Sequence, residues 1–142
     1  MNAEEHPTAD GGSSAARLAR RSLTTGAVLM LVGVALGAFG AHVLRGQLSP
    51  ERLASYQTGV LYHLVHALGL LLVGVMARGS GESAGLRWCA RLLVAGVLLF
   101  SGSIYLMAAG APRWLGMVAP LGGLSFMAAW ALLAHHAWRG RR

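Results

Sequence analysis

The chain has 142 residues, of which 55% are hydrophobic and only 12% charged, whereas a soluble domain carries about 25% charged residues. Its net charge of +7 comes entirely from arginine, and those arginines flank apolar segments instead of gathering in one patch, which argues for a membrane topology signal and against nucleic acid. The single cysteine, Cys89, excludes an intramolecular disulfide and a paired-cysteine metal site, and the length allows one helix bundle without a second domain.

Residues 1–16 are polar and small, with nothing to bury, and are expected to form a disordered tail. Arg17, Arg20 and Arg21 then open a transmembrane domain over 17–142. Its first span covers about 24–44, long enough at about 1.5 Å per residue to cross a hydrocarbon core of about 30 Å. A cleaved signal peptide is the rival reading, with a small-x-small site at Ala38-Phe39-Gly40 and a twin-arginine-like pair at Arg20-Arg21. Three further spans and the glycine pattern favour a retained helix.

That pattern is the organising feature of the first span. Gly26, Met30, Gly33, Gly37 and Gly40 fall on one helical face, and Gly33/Gly37 is a G-x-x-x-G pair. In water so many glycines make a poor helix; in a bilayer the backbone must pair internally, so the helix forms and its bare stripe admits a close neighbour. The glycine-rich stretch from Gly33 ends at His42.

Gly46 breaks the chain, and Ser49-Pro50-Glu51 reads as a helix start, with a serine N-cap, a proline in the first turn and an acid near the positive end. The second span covers about 56–77. Tyr56, Gly59, Tyr62, His63 and His66 share one sector of this helix, continued by Leu70, Val73, Gly74 and Ala77, and this polar stripe is expected to face protein. A flexible loop is expected over 78–85. The third span covers about 89–110, with Cys89, Gly96, Ser103 and Gly110 at seven-residue intervals. The hydroxyls of Ser101 and Ser103 are expected to bond carbonyls of the preceding turn. The fourth span covers about 114–138; Pro120 is expected to kink it and free a carbonyl one turn earlier, with Gly116, Ala119 and Gly123 around the kink.

The fold expected is all-α, a four-span transmembrane helix bundle. Nine arginines (17, 20, 21, 78, 87, 91, 139, 141, 142) lie on the two termini and the middle loop, against three (45, 52, 113) on the other loops, which puts both termini in the cytoplasm. Trp88 and Trp138 then mark the inner interface, and Tyr56 and Trp114 the outer one.

Gly37-Ala38-Phe39-Gly40-Ala41-His42, Tyr62 with His66, Phe100-Ser101-Gly102-Ser103-Ile104-Tyr105, and Pro120-Leu121-Gly122-Gly123-Leu124-Ser125-Phe126 with Trp130 together resemble the small inner-membrane proteins of the domain of unknown function 423 family. That family includes bacterial YgdD-like proteins and is similar to transmembrane protein 256 of animals. The resemblance covers about 18–138. It implies a multi-pass inner-membrane protein without a cleaved signal, and it implies no activity.

His63 and His66 are an i, i+3 pair able to share a metal, with His42 as a third candidate ligand, and imidazole suits zinc, copper, iron, nickel or haem. A regular first helix turns His42 away from its glycine stripe, so joining the pair needs a helix end or bend. No Asp or Glu lies deep in a span, so a carboxylate-rich metal site and a carboxylate proton relay are excluded. The bland alternative is a His66 bonded to a tyrosine or a carbonyl as packing. His135 and His136 belong to the headgroup-facing end. No nucleophile motif appears, and the cofactor, if there is one, is left open.

Three functions follow. The glycine stripes favour a structural or accessory component whose partners are the lipid bilayer and either another copy or another membrane protein. Pro120 and the Ser101–Ser103 segment favour an oligomeric small-solute or ion transporter or channel. The Tyr62/His63/His66 face favours a metal- or haem-binding redox component. The close-packing positions are Gly33, Gly37, Gly40, Gly96, Ser103 and Gly123, and the polar intramembrane face is Tyr62, His66, Ser101, Tyr105 and Pro120.

Overall fold

The computed structural model describes residues 9–81 and 83–139; residues 1–8 of the expected tail lie outside it. All regular structure among the described residues is helical, and four helical stretches are long and apolar enough to cross a membrane. Helix α1 spans Ala9–His42 and a 3-10 turn follows at Leu44–Gly46. Helix α2 spans Pro50–Ser80. Helix α3 (Ala84–Gly96), a π-helical turn (Val97–Ser101) and α4 (Gly102–Ala108) run on as the third span. A 3-10 segment (Arg113–Met117) leads into α5 (Ala119–Arg139).

The helix starts follow the capping logic of the sequence. The Ser49 hydroxyl accepts from Arg52 N–H at 3.4 Å, with Pro50 in the first turn, where its missing N–H costs nothing. The expected loop over 78–85 is much shorter. Helix α2 continues to Ser80 and is stopped by Gly81, whose φ of +79° suits glycine, and Ser83 caps α3 by accepting from Leu86 N–H at 3.1 Å.

The other corrections concern backbone regularity. The third span ends at Ala108, and Gly110, with φ +99°, lies in the turn beyond it, outside the seven-residue series. The fourth span is not one helix kinked at Pro120. It begins as the 3-10 segment, turns at Val118, and enters α5 with Pro120 already in the first turn, where proline is tolerated.

Helix α2 is the hub. Helix α1 packs almost wholly on α2, α3 packs on α5, and α2 reaches both α3 and the π turn. The main core gathers Leu70, Val73 and Ala77 of α2, Leu86, Cys89 and Leu93 of α3, and Phe126, Ala129 and Leu133 of α5. The outward faces stay apolar and exposed, as at Leu31, Leu98 and Met127, which is the lipid-facing condition of a bilayer protein.

The α1–α2 seam is an antiparallel series of bare glycines against side chains. A Cβ at Gly26 would stand 2.8 Å from Leu71, at Gly33 2.7 Å from Leu64, at Gly37 3.3 Å from Val60 and at Gly40 2.5 Å from Tyr56. Helix α2 returns the device once, since a Cβ at Gly74 would stand 2.8 Å from Leu23. Small residues here replace the hydrophobic drive that the bilayer removes.

Candidate functional site

The polar stripe of α2 faces protein over most of its length. Tyr56, Gly59, His63 and His66 are buried, while Tyr62 is 39% exposed and lies at the edge of the bundle. Tyr56 faces the bundle: its hydroxyl donates to the Leu36 carbonyl of α1 at 2.8 Å, and its ring lies 5.3 Å from that of Tyr105. Trp88, Trp114 and Trp138, in contrast, are exposed by more than half.

The two buried histidines have different surroundings. His63 Nδ1 stands 3.2 Å from the Tyr105 hydroxyl of α4. Its Nε2 is, among the described residues, the buried side-chain polar atom left without a hydrogen-bond partner. Gly33 of α1 borders the ring, and a Cβ there would stand 3.4 Å from the imidazole edge. His66 Nδ1 donates back to the Tyr62 carbonyl at 2.6 Å, one turn earlier. Its ring stacks on Phe126 of α5 with centroids 3.4 Å apart, and Trp130 closes the side at 6.0 Å. Tyr62 stacks on Phe100 at 4.6 Å and on His66 at 5.7 Å, so the exposed edge of the face is an aromatic ladder.

Hydroxyls join the helices. The Ser101 hydroxyl donates to the Gly59 carbonyl of α2 at 2.8 Å, fully buried. The sequence pointed to a bond within its own turn; the π turn carries Ser101 round to α2 instead. Ser103 does bond locally, to the Phe100 carbonyl at 2.8 Å. Ser125 of α5 donates to the Leu92 carbonyl of α3 at 2.8 Å. Pro120 is exposed.

Three features escaped the sequence reading. Ser125 was visible as a lone hydroxyl in an apolar span. The close approach of α5 falls on Gly122, where a Cβ would strike the backbone nitrogen of Phe100, and Gly123 beside it has open space within 4 Å. Gly96, in contrast, is a close-packing position the sequence did mark, and it meets the Phe126 ring, which a Cβ would overlap. The π turn has no sequence rule of its own, although two serines flanking Gly102 mark the place.

As a metal centre the arrangement is incomplete. Among the described residues no three His, Cys, Asp or Glu side chains stand close enough to hold a metal ion. His42 is exposed at the end of α1, and the histidine pair is occupied with a tyrosine, a carbonyl and ring stacking. Chemically, the face can order four helices and pack aromatic rings.

Comparison with known proteins places this architecture. A family model described as "Protein of unknown function (DUF423)" matches residues 36–123. The chain is similar to the UPF0382 membrane protein YwdK of Bacillus subtilis, with 41% identity over 111 residues, covering 76% of this chain and 88% of the relative. It is similar to the UPF0382 membrane protein SH2409 of Staphylococcus haemolyticus, at 41% over 108 residues, 76% of this chain and 87% of the relative. With the UPF0382 inner membrane protein YgdD of Escherichia coli it shares 39% over 123 residues, 87% of this chain and 93% of the relative. No solved structure gives a significant match. Four apolar spans, the glycine seam and these alignments identify the chain as a multi-pass membrane protein that belongs to the DUF423 family.

Proposed function

We propose that this protein is a structural or accessory component of the cell's inner membrane that works through helix contacts with another copy or another membrane protein and catalyses no reaction of its own. One observation carries this reading. Ser101, Ser125, Tyr56 and His63, inside the spans, are turned inward into bonds with Gly59, Leu92, Leu36 and Tyr105 of neighbouring helices, while the outward faces are mainly apolar, as at Leu31, Leu98 and Met127. Such bonds order a bundle; they do not present groups to a solute. The inner-membrane placement draws support from the name of the E. coli relative.

The test is photocrosslinking in native membranes from the outward positions Leu31 of α1 and Met127 of α5, exposed by 71% and 69%. A discrete adduct with a second copy or one membrane protein is expected. Lipid adducts alone from both positions would overturn the reading.

Both termini lie in the cytoplasm in this proposal, on the arginine count. Cys89 is too buried, at 1% exposure, to report sidedness. In a Cys89→Ser background, Gln47→Cys should be labelled by a membrane-impermeant maleimide in intact cells, and labelling only after lysis would reverse the orientation.

A further inference from the structure

We infer that the cleft between α1 and α3 binds one anionic phospholipid, with the head-group phosphate among Arg17, Arg21, Arg87 and Arg91 and an acyl chain running along Leu70, Val94 and Leu98. The cleft is about 600 Å³ and exists because α1 and α3 both lean on α2 and scarcely touch each other. Its volume is of the size that small ligands occupy.

The arginines come as two pairs spaced one helical turn apart, Arg17/Arg21 on α1 and Arg87/Arg91 on α3, lining opposite walls. Among the described residues, the charged side chains that line the cleft are all arginines. Arg91 is held by its neighbour, with the guanidinium carbon 5.1 Å from the Trp88 ring centroid, which fixes the cation at the level of an interfacial tryptophan. Deeper in, the lining is Leu70 of α2 with Val94 and Leu98 of the third span, beside Ser22 and Thr25 of α1. Four guanidiniums above a largely apolar floor, in a cleft that lies between transmembrane helices, match an amphipathic anion. A soluble phosphate would satisfy the upper half and leave the floor unused. Guanidinium pairs phosphate through parallel N–H donors, and basic clefts between transmembrane helices are a recurrent way to hold anionic head groups.

The experiment is native mass spectrometry of the full-length protein in mild detergent, titrated with phosphatidylglycerol or phosphatidylcholine. One retained phosphatidylglycerol is expected, with at least tenfold weaker retention of phosphatidylcholine. Arg17→Gln with Arg91→Gln, both at exposed positions, should weaken phosphatidylglycerol at least tenfold, whereas Arg45→Gln with Arg113→Gln, the same charge removed at the other end, should leave it unchanged. Ala95→Trp, which fills the cleft without altering charge, should also abolish retention. Slow thiol labelling of Cys89 certifies that each variant is folded. Equal losses in the two arginine pairs would reduce the effect to diffuse charge attraction and overturn the site. Equal retention of phosphatidylcholine would overturn head-group selection. Displacement of phosphatidylglycerol by millimolar inorganic phosphate or glycerol 3-phosphate would assign the arginines to a soluble anion and overturn the lipid. The inference is independent of the accessory function, because lipid retention is read without any protein partner.

Discussion

Gly122→Ala is the sharpest test of the packing, because Gly123→Ala next to it is an internal control. A Cβ at Gly122 would stand 2.7 Å from Phe100 Cβ and 2.9 Å from Phe100 Cα, besides striking the Phe100 nitrogen. Ordinary carbon contacts lie at about 3.5–4.0 Å, so α5 must withdraw by about 1 Å. The obstacle is backbone in the π turn, so no rotamer change relieves it. Withdrawal would also stretch the 2.8 Å bond from Ser125 to the Leu92 carbonyl and loosen the His66–Phe126 stack. Overpacking of this kind costs about 1–3 kcal/mol, and the upper end is expected where backbone meets backbone. At Gly123 a Cβ meets nothing within 4 Å, so the change should stay within about 0.5 kcal/mol of the parent. The lone thiol provides the assay: Cys89 is 1% exposed, and a maleimide dye reacts with it only as the bundle opens. The midpoint of thermal or denaturant-induced labelling in detergent should fall for Gly122→Ala and hold for Gly123→Ala. Equal midpoints for the two variants would refute the placement of α5 against the π turn.

Ser101→Ala removes a fully buried bond between helices and should cost about 0.6–1.7 kcal/mol in the same assay, whereas Ser103→Ala loses a bond within its own turn and should cost less. Tyr105→Phe leaves both nitrogens of His63 without a partner and should cost about 1–3 kcal/mol, and Tyr62→Phe, whose ring only stacks, should be near neutral. His66→Phe keeps the stack on Phe126 and loses one local bond, so it should fold and keep any crosslinked partner; loss of a bound metal or haem on that substitution, with the fold intact, would restore the redox reading.

What the sequence made legible was periodic. Glycines at helical spacing in 26–40 pointed to a seam, and the seam forms against Tyr56, Val60, Leu64 and Leu71 of α2, beside the face whose polar residues pointed to protein. Ser49 and Pro50 marked a helix start because capping is a local rule. The readings that failed needed a partner element to be known. Ser101 bonds across to Gly59 because a π turn adds a residue to the register, and no wheel drawn at regular spacing contains that shift. Gly122 and Gly123 are equivalent in composition, and only the position of Phe100 separates them. Pro120 was read as a kink because the span looked continuous, yet the chain starts α5 there and uses the proline in its first turn.

The hub role of α2 explains why the histidines are where they are. A bilayer supplies no hydrophobic force between helices, so a central helix must hold its neighbours by close approach and by hydrogen bonds. Helix α2 uses side chains against glycines on α1, where Tyr56, Val60, Leu64 and Leu71 meet Gly40, Gly37, Gly33 and Gly26. Toward the third span it offers its own glycine, Gly59, whose freed surface admits Ile104 and whose carbonyl receives the Ser101 hydroxyl. His63 and His66 stand between these two contacts, one reaching Tyr105 of α4 and the other stacking on Phe126 of α5. Each imidazole thus ties α2 to a different neighbour. Helix α1 is held on α2 by the glycine seam and the Tyr56 bond, and the arginine-lined cleft opens between α1 and α3. The cleft follows from the packing scheme: a bundle ordered around one hub leaves its outer helices apart, and the space between them is where a lipid can complete the wall.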